Sequence, residues 1–368
     1  MLLKNLINFQ SKKFNKLSIK GLALNSKDVK KGFIFFAIRG NKFNGENYIN
    51  KAINKGAVII VCSNKCKFKD NRILIIKKKN IRNFISKIAS KFYRLKPKNI
   101  IAVTGTNGKT SVADFFYQIL NINNIPVASI GTLGIKYEKK NIKNNLTSPD
   151  AITLHKNLEK IKKDNIDNVI IEASSHGLKQ SRLDHLNFKA GIFTNFSQDH
   201  LDYHKTMKAY LNAKLILFSK LLTKKRHIIS DKSNKQFKIL KIIAKNNNLR
   251  LLDISKIIYQ IKNIPKALFG SFQIKNLSMA ILAAQVCGLK SSKINDTLKK
   301  IRSVNGRLEL IKKYPNNIKV FIDYAHTPDA LFEVIKSIRN SYSNNISLVF
   351  GCGGERDFKK RPLMAKIA

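Results

Sequence analysis

The chain has 368 residues, 43% of them hydrophobic, which is enough for two or three domains with cores of their own. Its 70 Lys and Arg against 22 Asp and Glu give a formal charge of +48, but the lysines recur in short clusters such as "KDVKK" and "LTKKRH" without a basic arm, an RNA-binding aromatic signature or zinc-finger spacing, so a solvated basic surface is expected rather than specific nucleic-acid binding. No apolar run approaches the roughly 20 residues of a membrane helix and the N-terminus has no signal-peptide core, so a cytoplasmic location without membrane insertion is expected.

Residues 1–97 mix short apolar runs ("GFIFFAI", "GAVIIV", "RILII") with turn residues, the pattern of a small α/β domain. Four cysteines in so long a chain make a disulfide framework improbable, and no second pair or nearby His completes "CSNKC" as a metal clip. Pro97 precedes the strand-like "NIIAVTG" and marks a boundary. Apolar strands ("VASIG", "NVIIEAS", "AGIFTNF", "KVFIDYA", "ISLVFG") then alternate with stretches of helical spacing. Such alternation predicts a mainly parallel sheet covered by helices, with functional residues where the strands stop.

The first such stop is "TGTNGKTS". It nearly spells a phosphate-binding loop, but only Thr106 and Asn107 separate Gly105 from Gly108-Lys109-Thr110, where the usual pattern has four residues. Val112, Phe115, Phe116, Ile119 and Leu120 follow at helical spacing, so the turn opens a helix whose free N–H groups suit phosphate. Lys109 would add a point charge and the Thr110 hydroxyl would reach Mg²⁺. A tight strand-to-helix turn with a surface lysine is the alternative.

Glu172 ends the strand of "NVIIEAS", where it would hold a cation beside phosphates or simply face water. His200 and His204 stand four apart in "QDHLDYH", but the Glu of an HExxH zinc site is missing. A single imidazole near Mg²⁺ is the reading they allow. Lys214, in "YLNAKLILF", reads as a helix-surface lysine.

The shortened "TGTNGKTS" resembles the ATP loop of the Mur ligases and their folylpolyglutamate synthetase relatives, a resemblance that extends over nearly the whole chain. It implies a three-domain architecture: a nucleotide-sugar (uridine) domain at 1–97, a central P-loop-like ATP domain at 98–326, and the start of a Rossmann-like amino-acid domain at 327–368. It implies that Gly105, Thr106, Asn107, Gly108, Lys109, Thr110 and Ser111 hold ATP. Asn276 in "GSFQIKNLSMAILAA" would lie against the adenine, Arg307 in "VNGRLE" on the phosphates, and Asp323 and His326 in "FIDYAHTPDAL" at the ribose and hinge. Thr110, Glu172, His200 and Lys214 would hold Mg²⁺, Lys214 as a CO2-derived carbamate, which attracts the metal where an ammonium would repel it.

Within that family, "LTSPD" and "EASSHGLKQSR" resemble the member that adds a diamino acid, meso-diaminopimelate or L-lysine, to UDP-N-acetylmuramoyl-L-Ala-D-Glu. They imply acceptor contacts from Thr147, Ser148, Ser174, Gln180 and Arg182. The family's Asp-Ser-Arg uridine triplet reads Asn25-Ser26-Lys27, which carries over Ser26 alone. Arg356, in "GERDFKKRP", would bind the incoming amino acid, although Glu355 stands where the family commonly has Asp. The family's third domain continues for on the order of 100 residues, within ordinary domain size, and carries the segment that selects the amino acid; that segment is not in this sequence. A monomer is expected. The rivals are a folylpolyglutamate synthetase, whose acceptor would be a folate, and a basic nucleic-acid-binding ATPase.

Overall fold

The computed structural model describes residues 1–7, 14, 16–40, 43–138, 140–144, 146–258, 261, 265, 268–342, 345–353 and 357–368. They form two compact units, the first comprising Met1–Lys96, Pro149–Asp164 and Gly177–Leu186, the second Pro97–Ser148, Asn165–His176 and Asn187–Ala368.

The first unit is built on four parallel strands in the order β1 (Gly21–Ala23), β2 (Phe33–Phe36), β3 (Ala57–Ser63) and β4 (Leu74–Lys78). The apolar runs of the sequence become these strands because both faces are covered, as parallel sheets require. The helix Ile81–Phe92 covers one face with Ile85, Ile88 and Ala89, and Asn80 caps it by accepting from the Asn83 N–H. The helix Ala151–Lys163 joins this unit, capped by Asp150, which accepts from the Ile152 and Thr153 amides. His155 on that helix is fully buried, with Nε2 3.4 Å from the Ser86 hydroxyl.

The second unit carries an eight-stranded mixed sheet. Its strands are β5 (Asn99–Thr104), β6 (Val127–Gly131), β7 (Gly134–Tyr137), β8 (Lys140–Ile142), β9 (Asn168–Glu172), β10 (Phe188–Phe193), β11 (His227–Ser230) and β12 (Arg250–Asp253), in spatial order β12-β11-β10-β5-β9-β6-β7-β8. The six strands from β12 to β6 are parallel; β7 and β8 fold back antiparallel as a meander at the edge. The expected parallel sheet is thus extended by two antiparallel strands, which short turns alone connect.

β5 lies between β9 and β10, so the chain passes to one side of it and later crosses to the other. Ligands of doubly wound sheets sit at such a reversal, beyond the strands' carboxyl ends. The opposite rim is closed by side chains: Asn99 Nδ2 donates to Asn168 Oδ1 at 2.8 Å, Asn168 Nδ2 to the Pro126 carbonyl at 3.0 Å, and Lys189 Nζ to Asn99 Oδ1 at 2.9 Å. These bonds sit where Asn99 pairs with Asn168 and fix the register of β5, β6, β9 and β10.

The helix Lys109–Ile122 buries Val112, Phe115, Phe116, Ile119 and Leu120 in the main core, as their spacing requires. Each phenylalanine withdrawn from water contributes roughly 1.5–3 kcal/mol. After β12 the helix Ser271–Val286 packs on this one, and an antiparallel pair, β13 (Glu309–Lys313) and β14 (Lys319–Ile322), precedes the helices Pro328–Ser341 and Lys360–Ile367. "ISLVFG", expected as a strand, is irregular, with Val349 99% exposed. No described strand pairs with it, so its backbone groups have no ladder to join. Among the described residues no helix is long and apolar enough to cross a membrane.

Candidate active site

Between β5 and the helix Lys109–Ile122 the chain makes its turn on two glycines in conformations that L-residues rarely adopt. Gly105 has φ 147° and Gly108, the helix N-cap, φ 85°. A side chain at either would also collide: a Cβ on Gly105 would lie 1.8 Å from Thr194 Oγ1, and one on Gly108 2.5 Å from Asn276 Oδ1. The turn is held from below by the segment after β10. Thr106 N donates to the Asn195 carbonyl at 3.0 Å, Asn107 N to Asn195 Oδ1 at 2.9 Å, and Thr194 Oγ1 to the Asn107 carbonyl at 2.6 Å. The Thr106 hydroxyl lies 3.1 Å from both the carbonyl and the amide of Ser197.

Lys109 folds back over the turn, donating to the Gly105 carbonyl at 2.9 Å and the Thr106 carbonyl at 2.7 Å. Burial lowers its pKa, Glu172 and Asp199 oppose that, and Arg307 adds to it. Lys214 approaches from the helix Met207–Ile216 and donates to the same Gly105 carbonyl at 2.6 Å, with its ammonium over the Tyr210 ring. It is 1% exposed, not the surface lysine its position suggests. Burial holds its pKa well below the ordinary value, and the neighbouring Lys109 charge pushes the same way. The helix carrying Lys214 widens into a π-helical turn at Leu217–Leu221, a distortion frequent at functional sites.

On the other side of the turn, Thr110 Oγ1 donates to Glu172 Oε2 at 3.1 Å. The Glu172 carboxylate is buried and also accepts from the Thr132 amide at 2.9 Å and hydroxyl at 3.1 Å. Burial raises its pKa, against those hydrogen bonds and the Lys109 charge. Gly131 makes room for it, since a Cβ there would lie 2.1 Å from Glu172 Oε1. Arg307 Nη2 lies 3.3 Å from Thr110 Oγ1, its guanidinium stacked on Tyr324. Asp323 accepts from the Leu308 amide at 2.6 Å, which fixes the backbone beside Arg307. A hydroxyl, a carboxylate and a guanidinium therefore meet at the helix N-terminus, the arrangement that receives a phosphate chain and a hard cation.

His200 has φ 54° and caps a single turn, Leu201–His204, so it and His204 do not form a helical metal pair. His204 instead shares a 2.9 Å hydrogen bond with Ser175. Burial, with His176, Lys109 and Lys214 adding to it and Asp199 opposing, pushes the His200 imidazole down to about 3, so at pH 7 it is neutral and keeps a nitrogen lone pair for a metal. Among the described residues no three His, Cys, Asp or Glu side chains converge as a ready metal cluster.

Asp199 is the acid that sequence reasoning passed over. It is 2% exposed and takes His200 Nε2 and His326 Nε2, each at 3.3 Å, on Oδ2 and Lys360 Nζ at 3.2 Å on Oδ1. Burial pushes its pKa up, but these partners win and hold it well below the usual carboxylate range. In "SQDHLD" nothing but its place after a strand distinguishes it. Ser111 and Asn276 are buried, Asn276 with its side chain against Gly108. Thr147 lies 3.2 Å from the Thr132 hydroxyl, and Ser148 Oγ donates to the Glu172 carbonyl at 2.7 Å and contacts Ser174 Oγ at 3.0 Å, so these three expected acceptor residues gather beside Glu172. Ser26, Gln180 and Arg182 belong to the first unit, where Gln180 accepts from both Arg82 and Arg182. Arg356 and Glu355 lie outside the described residues.

Three family models match the chain: the Mur ligase family catalytic domain over 18–93, the Mur ligase middle domain over 103–284, and the Mur ligase glutamate ligase domain over 306–368. The chain is 36% identical over 382 residues to the UDP-N-acetylmuramoyl-L-alanyl-D-glutamate–2,6-diaminopimelate ligase of Rickettsia montanensis, covering 96% of this chain and 78% of that one. Its counterpart in Brucella melitensis is 35% identical over 375 residues, covering 96% and 77%. A solved structure of a ligase with the same name superposes with a TM-score of 0.77 at 26% identity, covering 100% of this chain and 80% of that chain.

Proposed function

The chain belongs to the Mur ligase family, and from that premise we propose that this ATP-dependent ligase joins 2,6-diaminopimelate to UDP-N-acetylmuramoyl-L-Ala-D-Glu in peptidoglycan precursor synthesis. The observation that carries the reading is the convergence of Lys109, Thr110, Glu172, Lys214 and Arg307 on one helix N-terminus, with Thr147, Ser148 and Ser174 beside it. In the reaction the γ-carboxylate oxygen of D-Glu attacks the γ-phosphorus of ATP and ADP leaves. The amine of the diamino acid then attacks the acyl phosphate, phosphate departs, and the amine proton passes to solvent.

The chain's residues act by charge and position, since phosphoryl transfer asks little covalent chemistry of the protein. Lys109 and Arg307 face the phosphates, the turn amides cradle them, and Asn276, Asp323 and His326 hold the nucleoside. Nucleotide-sugar contacts are assigned to Ser26, Gln180 and Arg182 in the first unit and to Thr147, Ser148 and Ser174 in the second, each unit taken by itself, and amino-acid contact to Arg356. We assign 1–97, 98–326 and 327–368 to uridine, ATP and amino-acid binding.

Thr110 and Glu172 are hard oxygen donors that fit magnesium, with His200 as a neutral nitrogen. Bound there, the metal would neutralise charge on the β- and γ-phosphates. The ammonium of Lys214 does not fit a cation, but its depressed pKa favours the free amine, which adds CO2 and loses a proton to become a carbamate that does fit. We further propose a cytoplasmic monomer whose activity bears on cell shape and division.

The test supplies ATP, Mg²⁺, the muramoyl dipeptide nucleotide and either diaminopimelate or lysine, follows ADP and weighs the product. ADP release that needs the dipeptide nucleotide, and a product heavier by one diaminopimelate residue, are expected. ADP release driven by RNA, DNA or a folate instead would overturn the assignment.

A further inference from the structure

Lys360 has no part in the chemistry described so far, yet it is 2% exposed and its ammonium meets Asp199 at 3.2 Å. It opens the helix Lys360–Ile367, where the helix dipole is positive and a cation is unfavourable. Replacing a buried pair whole by apolar residues of like volume is often neutral for stability, whereas removing one partner leaves the other charge buried and unpaired. Its worth therefore lies in where it holds other groups.

Those groups lead to the phosphate turn. On Asp199 Oδ2 sit His200 and His326. One residue before, Gln198 Nε2 donates to Asp357 Oδ2 at 3.1 Å, so two adjacent residues hold that helix and the segment leading into it. One residue earlier still, Ser197 is hydrogen-bonded through both backbone groups to the Thr106 hydroxyl of the turn. From the other direction, Thr327, next to His326, meets the Asn107 side chain at 3.1 Å. Asp199, the partner of Lys360, is thus a member of a ring of contacts running from the turn, through Ser197–Asp199, to His326 and Thr327 and back to the turn.

We propose that Lys360 is a positioning residue for the ligase reaction, its ion pair with Asp199 fixing His326 and the 197–199 segment and, through them, the shape of the phosphate turn. The proposal rests on the ligase reading for its kinetic consequence and on the ring of contacts for its structural one.

The full-length chain with Lys360→Met is compared with wild type in the dipeptide-dependent ADP assay, with melting temperature as the check on folding. Because a misplacement near 1 Å costs about 100-fold, kcat should fall by roughly that factor. The KM for ATP should rise as well, since His326 and the turn are the groups assigned to the nucleotide. Lys360→Arg, which keeps the charge, should recover kcat to within about tenfold of wild type. A folded Lys360→Met enzyme with kcat within about threefold of wild type overturns the proposal, as does an arginine variant no better than methionine. If Lys360→Met does not fold, Lys360→Gln, which keeps a donor for Asp199 without the charge, takes its place with the same outcomes. Hydrogen exchange is read in parallel: amides of 105–111 and 197–199 should exchange faster in the variant, and unchanged exchange overturns the ring. If wild type shows no dipeptide-dependent ADP release the ligase assignment falls, while the exchange comparison still decides Lys360.

Discussion

Lys109 and Lys214 place two Nζ atoms on one carbonyl oxygen, that of Gly105, and this pairing says more about the site than either residue does alone. Lys109→Ala should leave the fold intact and lower dipeptide-dependent ADP release by about 100- to 1,000-fold, the usual loss when one preorganised donor to developing charge is removed. Retention of activity would take Lys109 off the phosphates. Lys109 was legible because glycines and a helix bracket it. The burial of Lys214 was not, for in "YLNAKLILF" it stands among residues of either face and only the packed helix shows which way it points. Asp199 and Lys360 were hidden for a related reason: a pair 161 positions apart leaves no local pattern, and Lys360 is one of 70 cationic residues.

His155 gives a second residue-scale expectation. Burial lowers its pKa from 6.5 to about 3, with the Lys96 charge adding to the effect. Below pH 6.5 the unfolded chain takes a proton there that the native chain refuses until about pH 3. Its contribution is therefore constant above pH 6.5 and is lost as pH falls through that window, by about 1.4 kcal/mol per pH unit. His155→Leu should flatten this acid limb, seen as a smaller fall in melting temperature between about pH 6.5 and 4.5 than wild type shows. Parallel curves would mean that His155 titrates normally.

At the scale of elements, the strand–turn–helix unit was readable because its signals are local: an apolar run, two glycines, then a 3.6-residue period. Gly108→Ala tests the turn as a unit. With φ at 85° and Asn276 Oδ1 2.5 Å from the new methyl, the turn must shift. The strain should cost about 1–3 kcal/mol of stability, and ATP affinity measured by calorimetry should fall together with activity. Unchanged affinity would show that the turn does not cradle the nucleotide. "ISLVFG" marks where local signals fail. It has the composition of a strand, but a strand exists only when a neighbour accepts its hydrogen bonds, and no described segment does. The antiparallel β7 and β8 were missed for the opposite reason: "GIKY" and "KNI" are too short to show a period.

For the molecule as a whole, the excess of 70 basic over 22 acidic residues is a field rather than a site. ATP and a nucleotide-sugar are both phosphate-rich, so that field should speed their capture while leaving chemistry alone. Raising salt from about 0.05 to 0.3 M should increase the KM for the dipeptide nucleotide about threefold with kcat unchanged, because the Debye length shortens. A salt-independent KM would confine electrostatics to the contacts at the turn. The two rims of the large sheet have divided tasks. The amides of Asn99 and Asn168, with Lys189, stitch the strands together at the rim opposite the phosphate turn. Strand alignment is thus settled at a distance from the reacting groups, as the spine of a book keeps its pages in order however the fore-edge is cut. Loops on the reactive rim can be lengthened, shortened or recoloured by mutation without disturbing the frame, which leaves room for related chains to evolve new acceptors around one way of spending ATP.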